Sequence, residues 1–243
     1  MLSLIIPCFN EAPNIDKLLE NLELMLKNNQ DEKIELIIVD NGSTDNSFSI
    51  LEKSNLFLEK KINVLKIKNN IGYGNGVFQG IKFAKGNYIA WCHSDLQLDP
   101  HDVIKIFKKY KTELLKKNCI IKGKRTKRNF IDTIFTFGMT LFTYLLFRVR
   151  LNDINAQPKM FHRNFLHFLE DSPKDFSFDF YFLLKAKQCN YKIYESPVIW
   201  HNRYAGEAKG GDSIKLKLKL TARTLNYMLK LKKNYGINRS QNK

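Results

Sequence analysis

Asp95 and Gln97 stand two residues apart just past an apolar run, Tyr88 to Cys92, so in extended chain both side chains face the same way. Carboxylate and amide oxygens are hard ligands of the kind Mg2+ or Mn2+ takes, with the phosphates of a bound ligand and water completing the shell. Polar residues also follow three other apolar runs: Asn10 and Glu11 after the first, Asp40 and Asp45 after the second, Asn69 to Gly76 after the third. A single aspartate in such a place is ordinarily a turn or a helix cap. Several run ends that agree describe instead a site for a phosphorylated ligand held by a divalent cation, with Asp40 accepting hydrogen bonds from a base or ribose.

Residues 1 to 120 supply elements to hold these groups, in a repeated rhythm of strand, turn and helix. Strands are expected over Leu2 to Pro7, Ile34 to Val39, Ile62 to Ile67 and Tyr88 to Cys92. Asn14 is placed to cap a helix whose apolar positions Ile15, Leu18, Leu19, Leu22 and Leu26 recur at three- and four-residue intervals. Further helices are expected over Asn46 to Lys53 and Gly76 to Ala84. Such alternation gives an α/β fold, a mostly parallel sheet covered on both faces, with ligands at the carboxyl ends of its strands. The second half is less regular: a basic segment, an apolar helix, the stretch Asn152 to Arg163, a helix near Phe178 to Gln188, a strand near Lys192 to Glu195, and a loop from Trp200 to Gly211. The tail from Ile214 to Leu220 alternates like a strand, but Leu225, Met228 and Leu229 beyond it favour helix.

The chain has 243 residues, 44% of them hydrophobic, which argues against disorder and against a disulfide-stapled miniprotein. Its four cysteines form no CxxC pair, and a reducing cytosol fits them best. No secretory leader is expected at Met1, and the stretch Ile131 to Phe147 reads as too short to span a bilayer. The formal charge of +16 is concentrated in two blocks, residues 101–130 and 209–243, each net +9. A clustered positive field suits nucleic acid, anionic lipid or a phosphorylated substrate, and a solvated lysine-rich surface is the bland alternative. Between the blocks, Ile134, Phe137, Leu141 and Leu145 share a helix face, with Thr136, Thr140 and Thr143 beside them and Arg128, Arg148 and Arg150 at the ends. That helix is either a core helix or one lying among lipid headgroups.

Five segments in order resemble the family 2 glycosyltransferases of the GT-A fold: Leu4 to Glu11, Val39 to Asp45, Asn70 to Gly74, Gly86 to Ala90 and Ser94 to Gln97. Gly123-Lys124-Arg125, Asp153 to Phe161 and Trp200 to Lys209 are similar to the dolichyl-phosphate mannose synthase branch and its bacterial relatives. The resemblance implies that Pro7, Asn10, Glu11 and Asp40 line a nucleotide pocket, and that Asp95 with Gln97 binds Mg2+ or Mn2+ at a donor diphosphate. It implies phosphate binding by Arg125 and Arg203, and Arg128 and Lys209 are candidates for the same acceptor role. Relatives usually carry Asp-x-Asp-x-Gln, whereas His93 stands first here. It either ligates the metal as a softer, uncharged donor or only hydrogen-bonds.

The activity implied is inverting transfer from a UDP- or GDP-sugar to a polyprenyl phosphate or a membrane-held glycan, for cell-surface glycan synthesis. A saccharide hydroxyl requires a general base, and Asp179 lies where relatives present an acid; a helix first turn is its structural alternative. A lipid phosphate is already ionised and needs cations instead. The organisation expected is a GT-A domain over 1–211, divided near residue 120 into nucleotide-sugar and acceptor halves, with a basic, helical tail over 212–243. The partners expected are the donor, the acceptor and an anionic membrane surface at the cytoplasmic face, not nucleic acid. Three rivals remain: a catalytically silent binder of the same fold, a nicotinamide enzyme and a nucleic-acid binder. Gly72-Tyr-Gly74-Asn-Gly76 has the wrong spacing for the nicotinamide fingerprint, and the aromatic residues gather in the apolar helix rather than among lysines.

Overall fold

The computed structural model describes residues 1–126, 130–206 and 214–241. The four apolar runs of the first half form β1 (Leu2–Cys8), β2 (Ile34–Asp40), β3 (Ile62–Lys66) and β4 (Tyr88–Trp91), paired in parallel in the order β3-β2-β1-β4. Alternate side chains enter opposite apolar layers: Leu36 and Ile38 go to one, Ile37 and Val39 to the other. Both layers are dry along β1, β2 and β4, which is why those strands read as apolar runs, whereas β3 at the sheet edge buries only Ile62 and exposes Asn63 and Lys66.

One layer is closed by α1 (Ala12–Lys27), α2 (Ser47–Lys53), α3 (Asn55–Leu58), α5 (Pro100–Lys109) and α6 (Lys111–Leu115). The other is closed by α4 (Tyr73–Phe83), a 3-10 turn (Arg163–Leu169) and α8 (Phe178–Gln188), with α7 (Phe130–Phe147) and α9 (Ile214–Gln241) packed at its side. Past β4 the sheet continues through β6 (Lys159–His162), β5 (Cys119–Thr126) and β7 (Lys192–Ile199), seven strands in all. β5 and β7 are parallel to each other, and β6 runs against both β4 and β5. The reversal brings Lys159, the first residue of β6, opposite Trp91 at the carboxyl end of β4.

Several expectations are corrected. Asn14 does not cap α1: Pro13, pre-set for a first helical turn, moves the start back to Ala12 and puts Asn14 inside the helix. α4 begins at Tyr73 rather than Gly76, directly after Gly72, whose φ of 130° side chains rarely adopt. The basic segment conceals α5 and β5. α5 turns Val103, Ile104, Ile106 and Phe107 inward and its lysines outward, while β5 buries Lys122 itself.

α7 is not a core helix. Ile134, Phe137, Leu141 and Leu145 form its exposed face, Phe137 being 69% exposed, while Thr143 is buried and Met139, Phe142 and Leu146 pack inward. Contrary to the expectation drawn from its length, α7 is long and apolar enough to cross a membrane, with mean hydropathy 1.6. Here it lies along the domain, tied to α9 by the 2.6 Å ion pair of Asp132 with Lys217. α9 is helical from Ile214, its inward stripe running through Thr224 and Met228.

Burial pushes the thiols of Cys8 and Cys119 up to about 12 and about 11 from an ordinary 9.0, and raises that of Cys92 also. It lowers the Lys122 amine to about 8, against the pull of Glu195 and Asp153. Above pH 9 the unfolded chain releases thiol protons that the folded chain keeps, so stability falls as pH rises; Lys122 acts in the opposite sense between about pH 8 and 10.5. Three buried thiols outweigh the two buried amines, Lys122 and Lys159, whose proton affinity burial lowers. The melting temperature is therefore expected to fall from pH 9 to 11, and less steeply in Cys92→Ala; equal slopes for variant and parent would contradict this.

Candidate functional site

A cavity of about 890 Å3 opens at the carboxyl ends of the strands. Pro7 and Glu11 enter it from the end of β1, His93, Asp95 and Gln97 from the end of β4, Arg125 from β5, Asp179 from α8 and Arg203 from the loop after β7. Its last wall is helical: Asp132 and Met139 on α7 face it with Lys217, Thr221 and Thr224 on α9. The sequence reading of the tail gave no hint of that wall, because alternating lysine and leucine does not say which helix face turns inward.

Arg203 binds the two halves of the chain together. Its guanidinium pairs with Glu11 and, at 3.3 Å, with Asp95 Oδ2. Asn14 fastens the same loop by donating to the Ala205 carbonyl at 3.1 Å and accepting from the Ala205 amide at 3.0 Å, and it donates to Glu11 at 2.6 Å. Thus the asparagine expected to cap α1 is a clamp for a loop about 190 residues away.

Asp95 is braced from its own turn as well. Its Oδ1 accepts from the Gln97 amide at 3.1 Å. The Gln97 side chain is satisfied with its nitrogen donating to Asp95 Oδ2 at 3.1 Å and its oxygen accepting from Trp200 Nε1 at 3.3 Å. In that arrangement Gln97 steadies the carboxylate. His93 lies between aromatic rings, 5.5 Å from Tyr73 and 6.3 Å from Trp200 between centroids. Among the described residues no three His, Cys, Asp or Glu side chains gather as a metal cluster. The donor set nevertheless suits a hard divalent ion of the Mg2+ or Mn2+ type, which commonly takes one carboxylate and completes its shell with phosphate and water. Asp95 is that carboxylate, oriented in the cavity beside a guanidinium.

The other expected residues divide. Asn10 braces two turns, accepting from the Thr44 amide at 2.7 Å, and Asp40 is buried, accepting from the Ser43 amide at 3.1 Å; both shape the wall from behind. Arg125 reaches the cavity, but its fork is held by Asp153, with Nε 3.0 Å from Oδ1, and its guanidinium lies over the Trp200 ring at 5.3 Å. Arg128 and Lys209 lie outside the described residues. Asp179 is in the first turn of α8, 2% exposed, and Lys159 Nζ stands 2.9 Å from its Oδ1. Burial, then the charge of Asp179, raises the nearby Tyr73 hydroxyl well above its ordinary range. Sequence reasoning missed Lys159, Tyr73 and Phe176, the last two stacked at 4.9 Å. A lysine directly before the apolar pair Met160 and Phe161 was the one available signal.

A family model for glycosyl transferase family 2 matches residues 3–158. An uncharacterized protein of Methanocaldococcus jannaschii is 39% identical over 112 residues, 43% of this chain and 44% of that protein. The dolichyl-phosphate beta-glucosyltransferase of Saccharomyces cerevisiae is 25% identical over 256 residues, 94% of this chain and 75% of that protein. In fold, the chain is similar to glucosyl-3-phosphoglycerate synthase from Mycobacterium tuberculosis, solved with Mn2+, UDP and phosphoglyceric acid. That match has a TM-score of 0.69 at 15% identity, over 96% of this chain and 78% of that one.

Removing Arg203 withdraws a cation that meets both Glu11 and Asp95. Arg203→Ala is expected to lose about 2 kcal/mol of stability, the scale of a lost hydrogen bond to a charged group. Urea unfolding measures this, together with faster proteolysis near residue 205; a midpoint equal to that of the parent would show that the loop is held otherwise.

Proposed function

Because the chain belongs to glycosyl transferase family 2, we propose that it moves a sugar, with inversion, from a UDP- or GDP-sugar to an acceptor held at a membrane. The observation that carries this reading is Asp95, a hard carboxylate braced at the carboxyl edge of the sheet and sharing its cavity with Arg203. Pro7 and Glu11 would border the nucleotide, with Asn10 and Asp40 fixing the turn behind it. A bound Mg2+ or Mn2+ would supply Lewis-acid neutralisation of the leaving nucleoside diphosphate. Asp95 would hold that ion, steadied by Gln97, with His93 as a further donor, while Arg203 and Arg125, each held in place by acidic partners, would bring positive charge to the phosphate.

The acceptor proposed first is a polyprenyl phosphate. Its support is a groove of about 610 Å3 beside α7, lined by Phe137, Leu141 and Tyr144 with Lys124, Arg125 and Arg150, which shares Arg125 and Thr136 with the strand-end cavity. Apolar surface beside cations suits a lipid chain and its phosphate. The yeast relative, a dolichyl-phosphate glucosyltransferase, agrees with that chemistry. A membrane-held glycan is the second reading, favoured by Asp179, a carboxylate in the lining of the cavity, where a general base for an acceptor hydroxyl would have to stand. The site of action proposed is the cytoplasmic face of a membrane, in glycan synthesis.

Thermal shift with UDP, GDP and CMP in the presence of Mn2+ identifies the nucleotide. Asp95→Ala is expected to lower nucleoside diphosphate release by at least about a hundredfold while the protein still melts cooperatively; retained turnover would remove Asp95 from the metal site. If the parent releases no nucleoside diphosphate from any common UDP- or GDP-sugar with metal and polyprenyl phosphate, it is a silent binder. Flotation tests the membrane separately. Truncating α9 would open the cavity, so the informative variant carries Phe137→Ser, Leu141→Ser and Leu145→Ser on the exposed face of α7. It should leave anionic vesicles while keeping the nucleotide-induced thermal shift, and persistent flotation would place the contact elsewhere.

A further inference from the structure

Lys159 is wholly buried at the start of β6. Its ammonium meets Asp179 Oδ1 at 2.9 Å, the Ala156 carbonyl at 3.2 Å and the Trp91 ring at 5.6 Å. Desolvation lowers its hold on a proton, and the charge of Asp179 is the main opposing influence. Asp179 is nearly as dry, and the ammonium is the group that meets its Oδ1. The Gln157 amide stands 3.4 Å from its Oδ2.

Among the described residues, the other charged groups around the pair are already matched. Arg125 on β5 pairs with Asp153, Lys122 on β5 with Glu195, and Lys217 on α9 with Asp132, while Tyr73 on α4 is a neutral phenol. The first turn of α8 favours an anion at Asp179, but the direct contact with Lys159 is the stronger influence in a wall without water.

We propose that Lys159 is the positioning residue of this site: its ammonium holds the Asp179 carboxylate within a desolvated wall and turns it toward a sugar hydroxyl in the cavity. The proposal rests on the reading of Asp179 as the group that meets that hydroxyl. The hydroxyl belongs to the transferred sugar if the acceptor is a phosphate, and to the acceptor if it is a glycan. In either case a carboxylate that became protonated would lose its function as acceptor. A lysine kept from water at such cost, beside a wall of the cavity, is explained by that requirement rather than by packing.

The test is initial-rate kinetics of the full chain with Mn2+ and UDP-glucose or GDP-mannose from pH 5.5 to 9, using polyprenyl phosphate and a simple glycoside as alternative acceptors. Lys159→Met is expected to be at least about tenfold slower at pH 7 and to recover as pH rises, its acid limb moved up by about one unit or more, because burial without a counter-charge favours the protonated carboxyl. Lys159→Arg should keep the limb of the parent. A hydroxyl on the donor sugar would show the loss in donor KM, and one on the acceptor would show it in kcat with donor KM unchanged. A slower Lys159→Met with an unmoved limb, or a Lys159→Arg limb moved as far, overturns the proposal. Asp179→Asn separates the two claims: parental turnover would remove Asp179 itself, whereas inactivity with an unmoved Lys159→Met limb would remove only Lys159. Should Lys159→Met fail to fold, Lys159→Met combined with Asp179→Asn is expected to fold, since no lone charge remains in the wall. Failure of that double variant would show Lys159 to be packing and overturn the proposal.

Discussion

Charge withdrawn from water has to be matched, and at the carboxyl edge of this sheet that requirement joins the molecule. Glu11, Asp95, Asp153 and Asp179 are each at most 9% exposed. Arg203 answers the first two, Arg125 the third and Lys159 the fourth. Glu11 and Asp95 come from the regular first half and their cation from the irregular second, so the site exists only when both halves are folded together. Unpaired, any of these groups would destabilise the edge; paired, they set the wall of a cavity with fixed polar geometry.

The same requirement revises the meaning of the net charge. Part of the first basic block is paired within the chain: Lys108 meets Asp31, Lys111 meets Glu32 and Lys124 meets Glu195 at the surface, and Lys122 is buried beside that same glutamate. These acids lie outside the block, so a count along the sequence overstates the field that the segment presents to a partner. What remains distinctive on the surface is apolar. The outward face of α7 carries Ile134, Phe137, Leu141 and Leu145 beside a groove rimmed by Lys124 and Arg150. A lipid acceptor would be recognised by that pairing of surface types, not by charge alone.

Legibility followed burial and periodicity. β1, β2 and β4 were readable because a strand dry on both faces is an apolar run, and α8 because a local turn, in which Asp175 Oδ1 accepts from the Ser177 amide, leads into it. β5 was obscured by its lysines and arginine, of which Lys122 is one that tertiary pairing lets into the core. Asn14 has the right residue type for a cap, and Pro13 took the helix start from it. In the site, Asp95 and Glu11 stood out by type and position, and Arg203 through the family resemblance. Tyr73 and Phe176 did not, because a stack between residues about 100 apart leaves no trace in local spacing.

By itself, then, the sequence determined an α/β sheet with polar groups at its strand ends and a hard carboxylate, Asp95, among them, since alternation, run length and residue chemistry are local properties. Only the tertiary structure decided which charges are free and which are spent, which face of α7 meets solvent, and that α9 closes the cavity. It also decided that β6 runs backwards, and so delivers Lys159 to the edge where Asp179 waits. Strand direction and helix rotation are fixed by packing between distant segments, and no local pattern encodes them.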